Sequence, residues 1–144
     1  MRRLFSILLL YLALVTIVSA QSFRPVPHEF YQEGKKSLNL SKGVALIDPK
    51  CAFSDDCGFL KARTKGTFLS IDFGPAVSNP AGVKSVPGAY KLTVTPKGII
   101  IIGYDEQGAF WGLQTLRRLV EESDDMRIPC CTIKDWPDND TRGM

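Results

Sequence analysis

GAYKLTVTPKGIIIIGYDEQGAFWGLQTL, residues 88–116, contains the clearest folding signals in this sequence. Within it, Tyr90, Leu92 and Val94 alternate with polar residues, which is the pattern of a strand that buries one face. A Pro-Lys-Gly turn follows, and then the isoleucines of residues 99–102, which suit a strand buried on both faces. The stretch therefore predicts a β-hairpin.

The second half of the stretch predicts a helix from about Ala109 to Glu122. Acidic residues stand just before it, at Asp105 and Glu106, where they suit the positive end of the helix dipole. Apolar residues recur through it at helical spacing: Phe110, Leu113, Leu116 and Val120. The spacing indicates a helix that buries one side.

Weaker signals surround this stretch. Residues 37–47 predict one or two short strands, residues 67–73 a further strand and residues 128–134 a last one. Residues 59–65 predict a short helix, and residues 74–88, which contain three prolines, predict a loop. The order indicates an α+β fold: a small, mostly antiparallel sheet with one or two helices packed on one face.

The first twenty residues predict a targeting segment outside the fold. Arg2 and Arg3 form a positive start, residues 4–18 are almost wholly apolar, and Ala20 closes a small-residue cleavage site. An uncleaved signal anchor is the alternative, but the apolar run is short for a membrane span. We therefore expect residues 1–20 to be a signal peptide and the cleaved protein to be periplasmic or extracellular, without a membrane contact.

The composition sets limits on function. A chain of 144 residues, 44% hydrophobic and 23% charged, is globular rather than disordered and allows one domain. The net charge is only +3, which excludes the basic patch of a nucleic-acid-binding protein. His28, the single histidine, excludes a metal site built from several histidines; we expect it to be a surface residue. No metal or cofactor is expected.

Four cysteines leave several possibilities open. In an oxidising compartment, Cys51 and Cys57 could form a disulfide across the short polar turn between them. Cys130 and Cys131 are adjacent, so in a strand they point to opposite faces and can be buried free thiols. A zinc site is the less favoured alternative, because the sequence has no CxxC pair and no histidine near the cysteines.

Six blocks of the sequence, in order, resemble a known pattern. They are GAYKLTVT at 88–95, IIII at 99–102, GAFWGLQTL at 108–116, IP at 128–129, IKDWP at 133–137 and RG at 142–143. The pattern is similar to the domain that precedes the catalytic barrel in exo-acting β-N-acetylhexosaminidases of glycoside hydrolase family 20. A similar domain precedes the barrel of family 84 N-acetylglucosaminidases. The resemblance implies a domain over residues 21–134 and a connector, with the first barrel residues, over 135–144.

The resemblance implies an accessory role rather than catalysis. In family 20 the 2-acetamido group of the sugar attacks the anomeric carbon, an Asp orients that group, and an adjacent Glu protonates the leaving oxygen. Both acids lie on later barrel strands, whereas this sequence stops at Met144, so we expect a fragment that has no catalytic residue and is inactive alone. Its partners would be the barrel and, through the barrel, a glycan. Arg142 matches the family's arginine that binds hydroxyls of the terminal sugar.

Other residues with possible roles favour structural interpretations. The acidic pairs at 55–56, 121–122 and 124–125 lie in predicted polar loops or at a helix end. Carboxylates at such positions are solvated, which favours a non-catalytic interpretation. Trp111 and Trp136 could stack on sugars, but packing is the favoured interpretation. Two alternative functions stay open. The chain could be a free-standing secreted carbohydrate-binding or interaction module, or the equivalent domain of a family 84 enzyme.

Overall fold

The computed structural model of the chain describes residues 27–138, which form one six-stranded sheet and two helices. The strands are β1 Glu29–Asn39, β2 Ala45–Ile47, β3 Phe68–Phe73, β4 Tyr90–Val94, β5 Gly98–Gly103 and β6 Arg127–Asp135, and the helices are α1 Pro75–Ala81 and α2 Glu106–Glu121. This confirms the predicted α+β class. The predicted signal peptide lies outside the described residues. Within 27–138, neither helix has the length and apolar character needed to span a membrane.

The sheet is mixed, with the strand order β1-β6-β4-β5-β3-β2. The pairs β1–β6, β6–β4 and β4–β5 are antiparallel, and the pairs β5–β3 and β3–β2 are parallel. The predicted hairpin is confirmed as β4 and β5, in which Leu92 lies opposite Ile101. Leu92 is also paired with Ile133 of β6, so these three side chains share one face at the middle of the sheet.

The core lies between this face and α2. Leu92, Ile101 and Ile133, and Leu113 and Leu116 of α2, are all 0% exposed; we call this region the apolar side of the sheet. A glycine at position 112 allows the helix to approach the strands closely, because a Cβ there would lie 2.6 Å from Cγ2 of Ile101. The predicted helix is thus confirmed, and its apolar spacing matches the buried face.

The opposite face of the sheet contacts the end of α1. Lys91 points away from Leu92 along β4, and its Nζ donates a hydrogen bond to the Ala81 carbonyl oxygen at 3.1 Å. The prediction of a loop over residues 74–88 was wrong for the residues of α1. A proline at the first position of a helix has the required φ and lacks only an N–H that would be unpaired there, so Pro75 begins this helix rather than preventing it.

Two further local predictions were wrong. The predicted helix at 59–65 is absent: Leu60 closes a turn with Cys57, and Ala62 then makes a bridge to Val44. β1 begins at Glu29, well before the predicted residue 37. Nearly all its side chains are exposed, so it has no apolar alternation to detect, and its pairing with β6 defines it.

Candidate functional site

The acidic pairs lie in solvent. Both residues of each pair, at 55–56, 121–122 and 124–125, are exposed, and Glu121 is engaged by Nε of Arg117 at 3.0 Å. A catalytic acid of a glycosidase needs surroundings that withdraw it from water, and these carboxylates lack them. Within residues 27–138, no three His, Cys, Asp or Glu side chains are grouped to hold a metal ion. Arg142 lies outside the described residues.

The structure contains all four cysteines as free thiols. Cys51 is exposed and has a positive φ of 52°, whereas Cys57, Cys130 and Cys131 are buried. Burial raises the pKa of the Cys57 thiol to about 11 and that of the Cys131 thiol to about 12, so both are protonated at neutral pH. A disulfide between Cys51 and Cys57 stays a prediction.

The two tryptophans have different surroundings. The Trp111 side chain is 47% exposed on α2, with its ring edge-on to Phe110 at 5.4 Å between centroids. Trp136 is half-buried, and its indole ring stacks on the His28 imidazole at 4.1 Å between centroids. Lys84 Nζ also lies over the Trp136 ring, 4.5 Å from its centroid. The Trp136 ring is therefore covered by packing, whereas the Trp111 ring is partly open to solvent.

A cluster of polar and aromatic side chains surrounds Trp136. His28 Nδ1 lies 2.7 Å from Oδ1 of Asp135, and its Nε2 lies 2.5 Å from Oδ1 of Asp138. The hydrogen bond with Asp135, followed by that with Asp138, raises the pKa of His28 above its ordinary value, while desolvation opposes the change. We call this cluster the His28 layer; its members are His28, Lys84, Asp135, Trp136 and Asp138.

Sheet pairing positions the His28 layer. Glu29 at the start of β1 lies opposite Lys134 near the end of β6, so the residues just outside this pair, His28 and Asp135, come together. They are 107 positions apart in the sequence. The segment entering the sheet and the connector leaving it therefore meet at one corner.

A second polar contact set holds the neighbouring loop. The Asp105 carboxylate caps α2 by accepting the Gly108 N–H at 2.8 Å, and it also accepts the Gly88 N–H at 3.1 Å. Gly88 has a φ of +82°, and a Cβ at this position would lie 3.0 Å from Cγ of Pro137. Asp105 thus joins the start of α2 to the loop on which the connector lies.

A shallow hollow of about 420 Å³ lies between the start of α2 and the segment that follows β2. Its lining is partly aromatic and partly polar, and consists of Ala52, Phe53, Asp56, Glu106, Gln107 and Phe110. The hollow was not predicted, because its residues come from segments that are about 50 positions apart. The carboxylate partners of His28 were likewise not predicted, since the β1–β6 pairing brings them together.

Two curated proteins are similar to this chain in sequence. The chain is 29% identical over 123 residues to N,N'-diacetylchitobiase of Vibrio harveyi, an alignment that covers 78% of this chain and 13% of the relative. It is 34% identical over 109 residues to a β-hexosaminidase of Vibrio vulnificus, with 75% and 13% covered. The chain thus spans about an eighth of the length of these curated relatives.

A solved glycoside hydrolase family 20 β-N-acetylglucosaminidase has a similar fold. The TM-score is 0.60 at 24% identity, with 78% of this chain and 22% of that chain covered. The sequence profile of glycosyl hydrolase family 20, domain 2, matches residues 22–136. That match covers most of the chain and includes every described strand and helix. The chain therefore belongs to the domain 2 family of glycoside hydrolase family 20.

Proposed function

We propose that this chain is the accessory domain of an exported enzyme that removes terminal N-acetylhexosamine from glycans, and that it supports a catalytic barrel. The observation that carries the proposal is the family match over residues 22–136. The names of two relatives, a chitobiase and a β-hexosaminidase, supply the substrate class. The exposure of the acidic pairs at 55–56, 121–122 and 124–125 is in keeping with a role other than catalysis.

A domain exchange tests this role. The matching segment of the Vibrio vulnificus β-hexosaminidase is either deleted or replaced by residues 22–144 of this chain. We expect the exchange protein to hydrolyse 4-nitrophenyl N-acetyl-β-D-glucosaminide and the deletion protein to lose activity and thermal stability. The 144-residue chain alone is expected to show no turnover.

A packing-defective variant provides the control. Gly112→Leu in the exchanged segment would drive a side chain into Ile101, so α2 could not seat on the sheet. This variant should behave like the deletion protein. A deletion protein as active and as stable as the exchange protein would refute the supporting role, and turnover by the chain alone would refute its non-catalytic character.

Arg142 extends the proposal to the substrate. A guanidinium presents paired donors that suit two neighbouring hydroxyls of a sugar. In the exchange protein, Arg142→Ala should raise KM, while Arg127→Ala, which removes an exposed arginine of β6, should leave KM unchanged. An unchanged KM in Arg142→Ala would remove this residue from the proposal.

Export is a separate part of the proposal, supported by the charged start and apolar run of residues 1–20. Expression of the full chain with its native N-terminus, followed by cell fractionation and N-terminal sequencing, tests it. We expect the exported product to begin at Gln21. A product that retains Met1 in the cell would contradict export by cleavage.

A free-standing carbohydrate-binding module is the second candidate, and exposed Trp111 beside Phe110 is the observation that favours it. Calorimetric titration of the chain with N-acetylglucosamine and its β-linked dimer distinguishes the two functions. Binding that is lost in Trp111→Ala but kept in Lys97→Ala would favour the module. If the chain is an accessory domain, neither the unchanged chain nor the two variants should bind these sugars.

A further inference from the structure

We propose that protonated His28 holds the connector at residues 136–138 against the segment that enters the sheet. When the imidazole loses its proton, the connector is released. The inference goes beyond the accessory role and does not depend on it, because every group involved belongs to the described part of this chain. It rests on the geometry of the His28 layer.

The hydrogen bonding of this layer is complete in one protonation state only. Each ring nitrogen of His28 faces a carboxylate oxygen: Nδ1 lies 2.7 Å from Asp135 and Nε2 2.5 Å from Asp138. A carboxylate is only an acceptor, and a neutral imidazole has a single N–H. The protonated ring donates to both carboxylates, whereas the neutral ring must turn a lone pair toward one of them. Deprotonation therefore breaks one of the two contacts.

The surroundings determine which contact breaks. Oδ1 of Asp135 also accepts the backbone N–H of His28 at 3.2 Å and that of Trp136 at 3.0 Å, so this carboxylate is held in place. Among residues 27–138, no second hydrogen bond of this kind holds Asp138, whose side chain is 72% exposed. The Asp138 contact is the weaker one, and its loss frees the connector beyond Trp136.

The charges that face the imidazole favour the protonated state. Asp135 at the end of β6 and Asp138 in the connector supply two negative charges at contact distance. Lys84, from the loop before β4, supplies one positive charge to the layer and lies over the Trp136 ring. The balance is anionic, in agreement with a pKa of His28 above its ordinary value.

The direction of the pH effect follows. A histidine whose pKa is raised on folding stabilises the folded arrangement below its ordinary pKa of about 6.5, and this stabilisation is lost as the pH rises through the raised value. The connector is thus held below about pH 6.5 and loosened as the pH rises through the raised pKa of His28. If the accessory role holds, the attachment of a following domain would loosen in the same pH range.

The single histidine makes the test direct. In the full chain, the imidazole carbon-bound protons belong to His28 alone, and their NMR shifts report its titration. We expect a midpoint above 6.5 in the wild type. Asp135→Asn and Asp138→Asn should each lower the midpoint, and Asp56→Asn, which changes an exposed carboxylate outside the layer, should not. A wild-type midpoint at or below 6.5 would overturn the proposal.

A second measurement reports the connector itself. In a Trp111→Phe background only Trp136 remains as a tryptophan, and its quenching by acrylamide reports how exposed its ring is. Quenching should increase as the pH rises through the His28 midpoint, and His28→Gln should remove this pH dependence. Quenching that is constant with pH while His28 titrates would show that the layer does not release the connector. The wild-type titration and Asp138→Asn keep the test decisive if His28→Gln does not fold.

Discussion

On the apolar side of the sheet, Leu92, Ile101 and Leu113 are 0% exposed. In the His28 layer, the side chains of His28, Asp135 and Asp138 are 27% to 72% exposed. The first region is joined by apolar contacts, which contain no group that titrates near neutral pH. The second is joined by hydrogen bonds between ionisable groups that are close to water. The comparison shows a division of tasks: burial decides whether the domain folds, and the polar corner decides how its incoming and outgoing segments are held together.

Thiol reactivity should separate buried from exposed positions by the largest factor. Cys57 and Cys131 belong to the core, while Cys51 is exposed. In the reduced native protein we expect the exposed thiol of Cys51 to react rapidly with a chromogenic disulfide. The other three thiols should react more slowly, by a factor on the order of a hundred or more, because they need local opening. Cys51→Ser should remove the rapid phase. Two or more rapid thiols would show that the core is looser than the structure indicates.

Removal of core volume should have the largest effect on stability. Leu92→Ala leaves a cavity between β4 and α2, and we expect a loss of about 2–5 kcal/mol in the free energy of unfolding, measured by urea denaturation. Leu46→Ala is the matched control, because Leu46 is 37% exposed in β2 and should lose well under about 1 kcal/mol. Equal losses at the two positions would contradict the assignment of the core.

Asp105 links the two regions and should have an intermediate effect. Asp105→Ala removes the cap of α2 and leaves the Gly88 N–H without its partner, so we expect a loss of about 1–2 kcal/mol. Asp105→Asn retains an acceptor oxygen and should keep most of the stability. The urea midpoints of the two variants check this. A loss in Asp105→Asn as large as that in Asp105→Ala would indicate that charge, rather than capping, is what matters at this position.

The sequence was sufficient for the apolar side because the information there is local. The alternation of Tyr90, Leu92 and Val94 and the spacing of Leu113 and Leu116 are properties of short windows, and each buried face is continuous in its window. The elements β4, β5, α2 and β6 were accordingly predicted to within a few residues of their observed bounds.

The sequence was insufficient where tertiary pairing determines structure. β1 is an exposed edge strand, so its side chains carry no periodic signal, and α1 is a seven-residue helix that begins with a proline. The contacts of His28 need β1 to pair with β6 across 107 positions. A solvent-exposed histidine was the correct general expectation, but its two carboxylate partners could not be identified before the sheet register was known.

The pH dependence of stability should show the smallest effect and the clearest division between the two regions. The stability difference between the wild type and His28→Gln should be present below about pH 6.5 and disappear as the pH rises through the raised pKa of His28. Because the His28 side chain is 30% exposed and that of Asp138 is 72% exposed, the difference should stay below about 1 kcal/mol. Urea denaturation of both proteins from pH 5.5 to 9 measures it.

Leu92→Ala provides the contrast for that experiment, since its loss should be the same at every pH in the series. If the His28→Gln difference were also constant with pH, ring packing on Trp136 rather than the two carboxylates would account for the role of His28. If the difference grew as the pH rose, neutral His28 would be the form that the fold stabilises. Whether the difference changes with pH therefore decides between charge and stacking, and the direction of the change identifies the protonation state of His28 that the fold stabilises.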